Sequence, residues 1–401
     1  MTDWADELRR CIRCGACREV CPVFLQTLLE TDVARGRLAR IERADQTGRF
    51  TTADCEALTL CLQCGKCTEI CKAGVAVPDI VRDAKARAGC ATALQDTALA
   101  FLGDGVAMER LTRRARTFAG WLTKTTPDGS GLRLRFALPY LQKSRYLPKP
   151  PDAPYLQNHA GRQADGEKPV ALFLGCGAGW LLDQVGEAMD AILEQMNLTA
   201  AVPEQTCCGL PAWGIGDVKR AREAAINFLE SFADYPAILS PCASCTAHLQ
   251  QHLPLVLAGT VHEQAARKIA DKVHDFFVWL HQQSWQPDLT ERRVAVHVPC
   301  HTRRGVRGGD ALNGLLRKAG AQIVALDESL EQSCCGMGGS FGVLHPKLSR
   351  EIGLAKVRAM LAAEPDVITT SCTGCLVQLR DLVDLHQSHV QVVHAATLLN
   401  G

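Results

Sequence analysis

Val170-Ala171-Leu172-Phe173-Leu174-Gly175-Cys176 and Val294-Ala295-Val296-His297-Val298-Pro299-Cys300 are the same phrase written twice. Each is a short apolar run that delivers a cysteine at its carboxyl end. A helical stretch follows each (Leu181–Gln195 and Asp310–Ala319), then a second strand (Thr199–Val202 and Gln322–Leu326), then Cys207-Cys208-Gly209 or Cys334-Cys335-Gly336. A further helix (Asp217–Phe232; Pro346–Ala363) leads to a third strand (Ala237–Ser240; Val367–Thr370) that ends in Cys242-x2-Cys245 or Cys372-x2-Cys375. Val273-His274 and Val393-His394 close the match. Two copies of one unit set the architecture before any single motif does. Alternating strand and helix predicts parallel α/β sheets with crossover helices. Ligands of such sheets sit beyond the carboxyl ends of the strands, where every cysteine of the repeat falls.

Working outward, the chain has 401 residues, 20 of them cysteine, and a formal net charge of +1. Near-neutral charge argues against a nucleic-acid binder, whose affinity comes from released counterions. The first residues carry no apolar secretory region. The longest apolar stretch, residues 170–182, is broken by Asp183 and is too short to cross a bilayer. The expectation is a cytoplasmic chain, soluble or peripheral on the inner face of the membrane. There thiols stay reduced, and paired spacings mean metal more often than disulfides.

Residues 1–100 hold two further cysteine runs, Cys11-x2-Cys14-x2-Cys17-x3-Cys21 and Cys61-x2-Cys64-x2-Cys67-x3-Cys71. This is the bacterial ferredoxin spacing, in which three cysteines hold one [4Fe–4S] cube and the fourth holds the other. Cys11, Cys14, Cys17 and Cys71 are thus expected on one cube, and Cys61, Cys64, Cys67 and Cys21 on the second. Zinc knuckles share Cys-x2-Cys, but a third cysteine two residues on suits a cube better. Cys55 and Cys90 lie outside both runs and read as free, buried, small apolar residues.

The repeat offers five cysteines per copy: Cys176, Cys207, Cys208, Cys242 and Cys245, then Cys300, Cys334, Cys335, Cys372 and Cys375. Vicinal cysteines fit poorly at two vertices of one tetrahedron but can bridge different irons. The expectation is one or two further iron–sulfur clusters, with one site vestigial or holding zinc as the alternative. Gly209 and Gly336 allow the turn a positive φ. His297 and His301 flank Cys300 and can tune a ligand, although a solvated or merely neighbouring histidine is the plainer reading.

Two other patterns are decoys. Gly175-x-Gly177-x-Gly179 lacks the third glycine of a dinucleotide turn. Gly338-Gly339-Ser340-Phe341-Gly342 lacks the preceding strand of a nucleophile elbow and reads as a cover over the cluster. Residues 101–125 read as a helix with Ala107, Leu111, Ala115, Phe118 and Leu122 on one stripe. Arg110, Arg113, Arg114 and Arg116 lie off it, with Trp121 near its end; such a helix can meet an anionic membrane or a partner. Residues 126–168, rich in Pro and Gly, read as an irregular linker. The layout is therefore a ferredoxin-type domain (1–100), helix and linker (101–168), a first repeat (169–288) and a second repeat (289–401).

The motif order resembles the iron–sulfur subunit of glycolate oxidase and of related lactate and glycerol-3-phosphate dehydrogenases, members of the CCG-domain family. Ala34-Arg35-Gly36-Arg37, Cys208-Gly209-Leu210-Pro211 and Ser333 to Gly342 carry the likeness. The chain is also similar to the catalytic subunit of membrane-bound heterodisulfide reductase. The first resemblance implies an FAD-binding dehydrogenase partner that oxidises a 2-hydroxy acid, with electrons moving through the clusters to a quinone or membrane carrier. The second implies disulfide reduction at non-cubane clusters, since both five-cysteine sets are complete here. A non-catalytic, redox-responsive role is the third reading.

Overall fold

The computed structural model describes residues 4–126, 129–136, 145–164 and 169–401. The repeat folds into two parallel sheets. In the first, β4 (Val170–Leu172), β5 (Ala237–Ser240) and β6 (Val273–Asp275) lie in the order β4-β5-β6. In the second, β7 (Arg293–His297), β8 (Gln322–Ile323), β9 (Val367–Thr370) and β10 (Gln391–His394) take the order β10-β9-β7-β8. Val170 pairs with Ala237 and Val294 with Val367, so the two copies share a register. Ala171, Leu172, Ile238, Leu239, Val294, Ala295 and Ile368 are fully buried, as expected of strands covered on both faces.

The second strand of each copy is shorter than its sequence suggests. In the first repeat it shrinks to single bridges, Ala171 with Ala201 and Arg162 with Val202. In the second, only Gln322 and Ile323 pair with β7. Edge strands have one neighbour, so pairing stops where the strands diverge. One apolar core runs through both repeats, and helix Gln184–Gln195 of the first packs on helix Ala395–Asn400 at the end of the second.

The N-terminal domain is helical and holds its own apolar cluster, from Leu38, Ile41, Leu58, Ile80, Val81 and Ala84 among others. A small third cluster joins Cys21, Phe24 and Leu62 to Cys334, Phe341 and Ile352 of the second repeat. Gln63 donates to the Gly214 carbonyl at 2.8 Å, anchoring the same domain to the first repeat. The domain is thus wedged against both copies.

Three features depart from the sequence reading. The expected free cysteines Cys55 and Cys90 form a disulfide, Cα–Cα 5.2 Å, because helices Thr52–Thr59 and Val77–Ala88 pack side by side. The helix expected over 101–125 is broken: Asp104 accepts from the Val106 and Ala107 amides, ending Ala93–Leu102 and starting Gly105–Leu122. Its buried face carries Met108 and Thr112, whereas Leu111 is exposed; the side chains of Ala115 and Phe118 lie outside the described residues. The stretch read as linker lies partly outside the described residues, yet supplies an antiparallel sheet of β1 (Thr123–Thr125), β2 (Gly131–Leu134) and β3 (Tyr146–Pro148). Buried Asp381 holds it down, accepting from Arg133, Arg145, Arg350 and the Tyr146 amide. Among the described residues no helix is long and apolar enough to cross a membrane.

Candidate metal centres

The two ferredoxin runs adopt one backbone. Arg13 and Gln63, the residues just before the second cysteine of each run, have φ near +55°, and Gly15 and Gly65 just after it are at +90° and +78°. Alternating left-handed residues turn successive amides towards a common point, a nest for an anionic cluster. The two arginines of Ala34-Arg35-Gly36-Arg37 brace these loops. Arg35 donates to the Arg13 carbonyl in the first, and buried Arg37 to Ala57 and Leu60 at the entrance of the second. Gly36 is obligatory, because a Cβ there would sit 1.9 Å from the Glu30 carbonyl oxygen.

Cys21 lies near Cys64 and Cys67, whose thiols are pushed upward by burial first and by the charge of Cys21 after it. Arg10, beside Cys11, donates to the Ala73 carbonyl at 2.8 Å and so draws the turn after Cys71 towards the first run. The fold thus brings Cys21 towards the second run and the turn after Cys71 towards the first, while Cys21 also acts by charge on Cys17. Cys14 is exposed, which marks the outer end of this domain.

Each five-cysteine set converges at strand ends. In the first, the Cys176 and Cys207 sulfurs are 3.8 Å apart, and hydrogen bonds from Cys207 and Cys245 pull the Cys208 thiol down to about 6. In the second, Cys335 and Cys375 are 3.3 Å apart, and bonds from Cys334 and Cys375 hold Cys335 well below the usual thiol range. The same bonds push Cys207, Cys245, Cys334 and Cys375 upward, so each cluster of thiols shares protons that a bound metal would displace. Gly209 and Gly336 take φ of +91° and +92°, as the turn requires.

The sets also meet one another. Cys242 of the first and Cys372 of the second have sulfurs 3.9 Å apart, and the Ala243 amide donates to the Ser371 carbonyl at 2.9 Å. Gly177, part of the apparent dinucleotide turn, exists for this contact: a Cβ there would fall 2.5 Å from Thr373 Oγ1. Cys64 of the ferredoxin-type domain feels the charge of Cys300, and Cys334 shares an apolar cluster with Cys21 and Leu62. The apparent nucleophile elbow sits here too. A Cβ on Gly338 would strike Leu62, and Phe341 is buried against the junction, so the loop is a cover. Neighbouring cysteines therefore run from Cys17 and Cys67 through Cys64, Cys334, Cys335 and Cys375 to Cys372 and Cys242.

Histidines mark what the cysteine pattern alone did not reveal. His301 lies 3.7 Å from the Cys300 sulfur. His297 is fully buried and shares a potential metal position with Cys335 and Cys375. His248 and His252 face each other at 3.4 Å in a π-helical turn beside Gly209, and burial drives His248 well below its usual range. Their i, i+4 spacing was the available signal. Buried Lys356, donating to the Glu331 and Ser333 carbonyls at 2.8 and 3.1 Å, lies behind the second set.

Comparison with known proteins agrees with this layout. The CCG cysteine-rich domain family matches residues 170–250 and 294–380, and the 4Fe-4S dicluster domain family matches residues 7–75. Lactate utilization protein A of Geobacillus kaustophilus is 30% identical over 237 residues, which are 58% of this chain and 98% of that protein. The protein of that name from Anoxybacillus flavithermus is 29% identical over 236 residues, again 58% of this chain and 98% of its own. A crystal structure of a hypothetical protein from Helicobacter pylori shares the fold, with a TM-score of 0.55 at 10% identity over all of this chain and 73% of that one. A dicluster domain braced against two cysteine-rich repeats is thus common to the sequence, the fold and the comparisons, and the chain belongs to the CCG-domain family of iron–sulfur proteins that includes lactate utilization protein A.

Proposed function

We propose that this chain is the electron-transfer subunit of a flavin-dependent 2-hydroxyacid dehydrogenase of lactate or glycolate type. An FAD-binding partner oxidises the hydroxy acid, and electrons travel through this chain towards a quinone or another respiratory acceptor. The observation that carries this reading is the series of neighbouring cysteines that runs from Cys17 and Cys67 of the ferredoxin-type domain through Cys64, Cys334, Cys335 and Cys375 to Cys372 and Cys242. Cys11, Cys14, Cys17 and Cys71 would hold one cube, and Cys61, Cys64, Cys67 and Cys21 the other; the CCG cysteines would hold the remaining centres. Those clusters supply one-electron storage, which flavin and quinone chemistry need as an intermediary. The relatives' name, lactate utilization, supports a hydroxy acid as the ultimate donor. Exposed Arg110, Arg113 and Arg114 with Trp121, 73% exposed, on helix Gly105–Leu122 support a peripheral seat on the inner membrane face.

A second reading is favoured by one feature. Both CCG sets are complete and abut at Cys242 and Cys372, which suits two centres acting on the two sulfurs of a disulfide. Anaerobic purification of the chain from its native host separates the two. The first reading expects a co-purifying flavoprotein and cluster reduction on adding lactate or glycolate. Isolation without flavin, with cluster signals that respond to a disulfide and not to a hydroxy acid, refutes it in favour of the second.

A further inference from the structure

The two CCG sets match in every cysteine but differ in what stands behind them. Phe173 and His297 occupy the same place, three residues before the first cysteine of each set. In the first repeat Phe173 belongs to an aromatic wall, edge-on to Phe228 at 5.2 Å and to Phe232 at 5.6 Å between centroids. In the second, the same strand position carries an imidazole, and the helix that supplied Phe228 supplies Lys356 instead.

His297 is 0% exposed, and neither ring nitrogen makes a well-formed hydrogen bond; the polar group it leans on is the Cys335 sulfur. An imidazole buried without a well-formed hydrogen bond, with a cysteine sulfur beside it, fits a metal ligand. A ligand atom of His297 and the sulfurs of Cys335 and Cys375 all lie within 4.8 Å of one another. That is the spacing of donors around one metal, since metal–nitrogen and metal–sulfur bonds run to about 2.0 and 2.3 Å.

We propose that His297 is a ligand of the metal centre in the second CCG set, so that two sets with the same cysteines are different electron sites. With the neutral His297 imidazole standing in for one of the five thiolates at the irons, the cluster carries less negative charge and a higher potential, as in histidine-ligated two-iron centres. The cation of Lys356 acts in the same sense. The second set, which adjoins the ferredoxin-type domain through Cys64 and Cys334, then becomes the station where an electron comes to rest. Each transfer moves one electron: the neighbouring cube is oxidised by one as the second set is reduced by one, with no bond made or broken. The first set, walled by phenylalanines, stays at lower potential.

The assignment rests on the iron–sulfur reading above and is tested on the full chain, purified anaerobically with its iron. Pulsed EPR of reduced protein grown with 14N- or 15N-histidine reads whether a histidine nitrogen is bound to a paramagnetic centre. The expected result is one such coupling, lost in His297→Phe, with a lower midpoint potential for that signal. Phe173→His should introduce a second coupling. A wild-type chain with cube signals and a full iron complement but no coupled nitrogen overturns the assignment and leaves the relay standing. Coupling that persists in His297→Phe, or zinc in place of iron in the second set, overturns it equally. Absence of the cube signals overturns the relay, and the assignment with it.

Discussion

Gly209 and Gly336 hold the two Cys-Cys turns in the same conformation but in different surroundings, which makes them a matched pair for substitution by alanine. Both residues have φ just above +90°, so each alanine carries the left-handed penalty, about 1–2 kcal/mol. At Gly209 the new Cβ would meet the Ala224 methyl at 3.2 Å, a contact that small shifts relieve. At Gly336 it would lie 2.0 Å from the Ser349 carbonyl oxygen. An ordinary carbon–oxygen contact is about 3.3 Å, so the turn or the helix at Pro346 must move by roughly 1 Å. Overpacking of that kind adds about 1–3 kcal/mol. Gly336→Ala should therefore cost about 2–5 kcal/mol in total, and Gly209→Ala only about 1–2. Urea unfolding of both variants against the parent, compared at a common slope, measures the difference. Iron analysis gives a second readout: Gly336→Ala should lose metal, because the displaced turn presents Cys334 and Cys335. Equal losses of stability in the two variants, or a greater loss in Gly209→Ala, would refute the reasoning.

Asp381→Asn should destabilise by about 3–5 kcal/mol, because it removes the buried carboxylate that three mostly buried arginines share. Burial alone would raise the Asp381 carboxyl, but hydrogen bonds and charge from Arg350, then Arg145, hold it below the usual carboxylate range. Its contribution is thus complete above about pH 4 and is lost as pH falls through the folded value; acid unfolding of the parent, flattened in Asp381→Asn, checks the sign. The crossed ligands predict that Cys21→Ser abolishes the EPR signal of the cube held by Cys61, Cys64 and Cys67, and that Cys71→Ser abolishes the other; the reverse outcome would show uncrossed cubes. Cys90→Ser opens a loop of 35 residues and should cost about 2–4 kcal/mol in thermal or urea unfolding. The difference should vanish when both proteins are reduced beforehand, and a loss that survives reduction points to packing instead.

Much of this was legible in the sequence because cysteine spacing and strand-end placement are local. The repeats, their parallel sheets and the positive φ at Gly209 and Gly336 follow from short windows of chain. What escaped is tertiary. The pairing of Cys55 with Cys90 depends on two helices meeting, and nothing near either residue records it. The β1–β3 sheet hides in a Pro- and Gly-rich segment because its stability comes from Asp381, more than 200 residues downstream. His297 was visible as a neighbour of Cys300 in sequence, yet its closer relation is to Cys335 and Cys375, which only the fold reveals. The break at Asp104 illustrates a local signal outweighed: an apolar periodicity continued past a residue that caps the next helix.

The sealing of the CCG sulfurs bears on how this protein comes to be made. Cys208, Cys242, Cys335 and Cys372 are each at most 4% exposed, and the cover at Gly338–Phe341 is closed from outside by Leu62 of the N-terminal domain. Among the described residues, the seated wedge covers the second set at this loop, while Cys176 and Cys300 stay partly exposed. A centre in the second repeat is therefore expected to be filled before the N-terminal domain closes over it, although that domain is synthesised first.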